Sequence, residues 1–150
     1  MSSWILVVMM VLSGAMMAFQ APINSALRLH VGTMEASLVS FSVGTLALIL
    51  IVLATREGNL SNVKNAPWWQ FLGGLIGVVF VTTTLLSARP IGMTGTIVAA
   101  LAGQMTAALL IDAFGWVGVN RKPIDLHRLA GLSLLVVSVV LINWNSWKKP

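Results

Sequence analysis

The sequence predicts an all-α integral membrane protein with five transmembrane helices in a single membrane domain, 1–150. Three observations carry that reading. Hydrophobic residues make up 57% and charged residues 9% of the chain, where a soluble domain averages about 25% charged. Mean hydropathy is +0.92, and five apolar runs approach or exceed the roughly 20 residues that a spanning helix needs. All six tryptophans (Trp4, Trp68, Trp69, Trp116, Trp144 and Trp147) fall at or near the ends of those runs, where an amphipathic ring prefers the membrane interface. Strands of a membrane barrel would alternate apolar and polar residues, and these runs do not.

The spans are expected at about 4–27, 34–54, 68–87, 91–114 and 129–146. The first, in "MSSWILVVMMVLSGAMMAF", lacks the basic leader of a signal peptide and stays apolar past any cleavage site, so it reads as a retained span. Arg28 to Gly32 then reads as the first connection. Thr33 is a candidate N-cap for the second span, with Glu35 near the positive end of that helix. Thr55 to Pro67 forms the next break, and Pro67 takes the first helical position of span three, where a missing N–H costs nothing. Ala88 to Pro90 separates spans three and four, and Gly115 to Arg128 separates the last two.

Charge distribution bears on orientation. Arg56, Lys64, Arg121, Lys122 and Arg128 fall on one side of the membrane, and Arg28, Arg89, Lys148 and Lys149 on the other. The positive-inside rule needs an asymmetry to choose an orientation, and five against four supplies almost none. A chain without preference can insert both ways, and two opposite copies can pair as an antiparallel dimer with inverted-repeat symmetry. Many transporters are built from such inverted repeats, with the substrate site near the midplane. Unequal loops or a partner fixing one orientation is the plainer alternative.

Composition also excludes classes. Basic residues are scattered between apolar runs, so no nucleic-acid partner is expected. The absence of cysteine removes disulfides and thiolate chemistry. His30 and His127 stand alone in connecting segments, without ligand spacing, so no metal and no cofactor is expected. No nucleotide-binding motif is present. The spans hold no paired central carboxylates and no nucleophile–base pair, so the chain does not read as an enzyme.

The candidate site begins with "AFQAPINSALRLHVG", residues 18–32. Gln20 and Asn24 are four residues apart and share a helix face, with Ser13 two turns earlier and Arg28 one turn later. Polar groups facing hydrocarbon cost several kcal/mol each, so such a stripe must face protein or water. Pro22 also leaves the Ala18 carbonyl without its helical donor, and a kink is expected there. The stripe lines a pathway for a solute, or it bonds neighbouring helices. Gln104, deep in span four among Ala102, Gly103, Thr106 and Ala107, carries the same two readings. Asp112, near the negative end of span four, needs a cation, with Arg121, Lys122 and Arg128 close behind it. Arg28, Arg89 and Asp112 are therefore candidates for gating or interface ion pairs. In an antiparallel dimer, Arg89 of one copy would share a membrane face with Asp112 of the other. Gly73, Gly74, Gly77 and Thr82–Thr84 of span three, with Ser37, Ser40, Ser42 and Gly44 of span two, suit close helix packing.

The segments "FQAPINSAL", "SFSVGTLAL", "PWWQFLGGLIGVVFVTT", "GQMTAALLIDAFGWVG" and "RLAGLSLLVVSVVL" cover almost the whole chain. They resemble the YdcZ-type family of small bacterial inner-membrane proteins in the drug/metabolite transporter superfamily. That resemblance implies five-span units acting as antiparallel homodimers, as paired oppositely oriented relatives or as fused ten-span proteins. It is also similar, more distantly, to the small multidrug resistance exporters, which use a glutamate in their first span. The corresponding "VLSGAMMAFQ" has no acid, so their proton-coupled cation exchange is not expected here.

The expected function is a secondary transporter in the bacterial inner membrane that exports a small organic solute by alternating access of two inverted protomers. Its partners would be the solute, the lipid bilayer and a second copy of opposite orientation, or an oppositely oriented relative. Gln20, Asn24, Ser13 and Gln104 are the expected substrate-binding residues. The alternative is a non-transporting membrane subunit that assembles with another protein, with the amides acting as helix glue.

Overall fold

A computed structural model describes residues 2–147. Every regular element among them is helical: α1 (Ser3–Val31), α2 (Thr33–Thr55), α3 (Leu72–Ser87), α4 (Gly92–Phe114) and α5 (Leu126–Trp147). Short 3-10 turns at Leu60–Asn65 and Trp68–Phe71 lead into α3, and one at Trp116–Gly118 follows α4. Five helical segments are long and apolar enough to cross a membrane. The chain divides into two compact units, Met1–Leu86 and Ser87–Pro150, described separately.

In the first unit, α1 continues four residues beyond the expected end of span one. Arg28 and His30 therefore lie in its last turn, not in a loop. Basic residues suit that position, beside the negative end of the helix dipole. The connection to α2 shrinks to Gly32 alone, at φ 98° and ψ 169°, a backbone state open essentially only to glycine. Its N–H bonds the Arg28 carbonyl at 2.9 Å, closing α1. Gly32 thus takes the N-cap position of α2 that Thr33 was expected to hold, and Glu35 stands in the first turn as anticipated. Pro22 does not break α1, which runs 29 residues through it. At 1.5 Å per residue that is about 43 Å, against a hydrocarbon core of about 30 Å. The helix must tilt or emerge at an end.

Helix α3 meets α2 along a narrow polar-to-small seam. The Ser37 and Thr82 hydroxyls are 3.3 Å apart, and Ser37 also lies 3.1 Å from the Thr33 carbonyl, to which it can donate. One turn along, the Phe41 ring lies where a Cβ on Gly77 would sit 3.5 Å from it. The seam thus uses Ser37, Gly77 and Thr82 from the small-residue set read in the sequence. A Cβ on Gly44, Gly73 or Gly74 would meet nothing within 4 Å.

In the second unit, α4 and α5 pack against each other. Gly115, with φ 66°, ends α4 by returning its N–H to the Ile111 carbonyl at 2.8 Å, the left-handed glycine stop common at helix ends. The following segment folds back onto that end. Lys122 N–H reaches the Asp112 carbonyl at 2.9 Å, and Arg121 Nε donates to the Phe114 carbonyl at 3.0 Å. Phe114 and Trp116 stack with centroids 5.3 Å apart. Helix α5 starts at Leu126, three residues before the expected boundary, because Asp125 caps it. The Asp125 carboxylate accepts from the Arg128 N–H at 2.9 Å, the N-cap to N3 geometry that satisfies an otherwise free donor.

Candidate functional site

The polar stripe on α1 does not face one way. Asn24 is buried at 6% exposure and Ala21 at 7%, whereas Ser13 and Gln20 are exposed and Arg28 is half-buried. Successive residues turn about 100° around a helix, so Asn24 and Arg28 belong to the inner face and Gln20 to its margin. The Asn24 amide makes no side-chain hydrogen bond among the described residues. Its carbonyl and amino groups are therefore not spent on joining helices within the described residues of the first unit.

Arg28, a candidate for gating or an interface ion pair, meets a backbone carbonyl. Its Nη1 donates to the Leu85 carbonyl at 2.6 Å, in the last turn of α3. Among the described residues it forms no ion pair; the guanidinium instead satisfies a C-terminal carbonyl. That position favours a cation through the helix dipole, and the contact holds the end of α1 to the end of α3.

In the second unit, Asp112 is paired as its position required. Arg128 Nη1 lies 3.1 Å from Asp112 Oδ2, and Arg128 Nε lies 3.3 Å from Asp125 Oδ2. The Asp112–Arg128 side chains keep about a third of their exposure, so this is an interfacial pair of modest strength. His127 stands 4.0 Å from Asp125 and is fully exposed. Arg89 is exposed and has no ion-pair partner among the described residues. Lys148 and Lys149, counted above on the same side as Arg28 and Arg89, lie outside the described residues.

Gln104 lies exposed on α4, without a side-chain hydrogen bond among the described residues. Gly95 and Gln104 are nine residues apart, about half a turn around the helix. Gly95 faces α5, so Gln104 faces away from it.

The sequence reading passed over Asn143, which the structure makes the most constrained amide in the second unit. It is 3% exposed, its Nδ2 donates to the Val139 carbonyl at 3.0 Å, and its Oδ1 is buried with no donor. That oxygen presses on Gly95, where an added Cβ would overlap it. Beside it, buried Thr96 donates to the Gly92 carbonyl at 2.8 Å. Asn143 lies between apolar Ile142 and interfacial Trp144, a span end where an amide draws no notice. The recoverable signal was a glycine on the facing helix.

No group of three or more His, Cys, Asp or Glu side chains able to hold a metal occurs among the described residues. The arrangement offers amide donors and acceptors within spans and a few cations at the membrane faces. Such groups suit orienting a polar organic molecule.

The family model described as "Putative inner membrane exporter, YdcZ" matches residues 5–141. The inner membrane protein YdcZ of Escherichia coli (strain K12) is 29% identical over 85 residues, 57% of this chain. The matched stretch spans 56% of that relative's length. No solved structure matches the chain. With nearly its whole length matched and five helices of spanning length beneath the match, the chain belongs to the YdcZ family of inner-membrane proteins.

Proposed function

We propose that the protein is a secondary exporter of a small organic solute, working by alternating access between two oppositely oriented copies. Family membership supports export. The observation that carries the site is Asn24, an amide at 6% exposure inside a span whose side chain bonds no described residue. A polar group at that depth needs a partner, and a passing solute is one. Asn24 and Gln20 of both copies, with Ser13, are the proposed contacts. The set is neutral, which favours a polar neutral or anionic solute over a bare cation. The balance of five basic residues against four across the membrane supports dual orientation.

Two measurements test the reading. A single cysteine added to the C-terminal tail of this cysteine-free chain is labelled from outside intact cells, then after permeabilisation. About half reached from each side supports the antiparallel pair; labelling from one side alone refutes it. Gln20→Ala and Asn24→Ala are then compared with the parent for solute flux from vesicles, using amino acids, sugars and lipophilic cations as probes. Loss of flux with intact folding supports the site. Unchanged flux, or binding of lipophilic cations alone, overturns it. Absence of flux for every probe, with Gln20→Ala impairing folding, would favour the non-transporting subunit.

A further inference from the structure

We infer that α4 forms the twofold contact between the two copies, with Gln104 of each bonding Gln104 of the other at the bilayer midplane. The inference rests on the antiparallel reading above and names the surface that it uses.

Gln104 is exposed on the side of α4 turned away from α5. An exposed amide in hydrocarbon is unfavourable by several kcal/mol, so this face needs a partner with polar groups. An amide carries both a donor pair and an acceptor, so it complements a copy of itself. Two glutamines can exchange two N–H···O bonds.

Geometry restricts which residue can do this. In a twofold pair whose axis lies in the membrane plane, residue i of one copy meets j of the other, and only residues on the axis meet themselves. Such a residue must lie at mid-depth. Helix α4 runs from Gly92 to Phe114, which centres it on Gly103, about 1.5 Å from Gln104 along the helix. Asn24 lies toward one end of α1 and Asn143 toward one end of α5, so neither can reach its own mate this way. The flanks permit close approach. Ala100, Ala107 and Ala108 lie three or four residues from Gln104 on the same face. A Cβ on neighbouring Gly103 would meet nothing within 4 Å. Small residues let membrane helices pack backbone to backbone, where interhelical hydrogen bonds add to the association.

The test uses cysteine exchange in the full-length chain, in membranes, under mild oxidation. Disulfides need Cα atoms within about 7 Å. In the antiparallel contact Leu101 and its own mate are offset by about 9 Å along the helix, at 1.5 Å per residue, whereas Leu101 lies on the same side of the contact as Ala108 of the other copy and within about 1.5 Å of its level. Leu101→Cys and Ala108→Cys should therefore cross-link when co-expressed and not when either is expressed alone. Both variants keep Gln104. Adding Gln104→Ala to the co-expressed pair should cut the cross-linked fraction several-fold, and Gln104→Asn should restore part of it. Cross-linking of either variant with itself would show a parallel contact and overturn the inference. No cross-link in any combination would place the contact elsewhere and overturn it too. Tail labelling reports orientation separately, so half-and-half labelling without these links refutes the α4 contact alone.

Discussion

Gly95→Ala is the sharpest probe of how α4 and α5 are held together. The added Cβ would fall on Asn143 Oδ1, the acceptor of a side chain only 3% exposed. Relief requires rotating that amide, which breaks its 3.0 Å bond to the Val139 carbonyl, or moving α5 outward. Overpacking of this kind costs about 1–3 kcal/mol. Alanine in a helix interior returns roughly 0.5–1 kcal/mol over glycine, so the expected net destabilisation is about 0.5–2 kcal/mol. Asn143→Ala removes the obstructing amide together with its unsatisfied acceptor. In that background the clash vanishes and Gly95→Ala should turn neutral or stabilising, by up to about 1 kcal/mol. The sign change gives a coupling of about 1–3 kcal/mol, typical of residues in contact. Reversible unfolding of the four purified proteins in detergent measures it. An equal cost of Gly95→Ala in both backgrounds would show that Asn143 does not occupy that space, and the account of this crossing would fail.

Further outcomes follow from other contacts. Arg28→Gln removes a charge-assisted bond to the Leu85 carbonyl at 2.6 Å. It should lower stability by about 1–2 kcal/mol, with Arg28→Lys intermediate; an unchanged unfolding midpoint would contradict it. Arg28→Gln also leaves five basic residues against three, so tail labelling should shift away from an even division. Thr82→Val should cost about 0.6 kcal/mol, the average for membrane hydrogen bonds, and nothing more in a Ser37→Ala background. Asp112→Asn should cost under about 1 kcal/mol, because the pair is partly exposed and Arg128 keeps Asp125; a loss of several kcal/mol would show that the pair is more deeply engaged.

The spans were legible because hydropathy and interfacial tryptophans are strong, local signals. Their ends were less so where helices begin or finish in polar residues. Arg28 and His30 look like loop residues by hydropathy, yet they suit a helix C-terminus. Leu126 to Arg128 look like a connection, yet Asp125 caps them into α5. Asp112 could be assigned a cation from the helix dipole alone, though not which of three. The partner of Arg28 was not legible, because a backbone carbonyl leaves no trace in residue type. Asn143 was missed for a related reason: its constraint comes from Gly95, 48 positions earlier, and no periodicity links the two.

The turn at Gly32 bears on how the chain enters the membrane. A connection of one residue cannot span a water-filled gap between separately inserted helices, so α1 and α2 should partition as one hairpin of some fifty residues. At its tip the hairpin carries Arg28 and, across the turn, Glu35, which nearly cancel. The hairpin thus offers the insertion machinery almost no electrical cue, and the side on which it turns is left to Arg56 and Lys64, which emerge from the ribosome only after it.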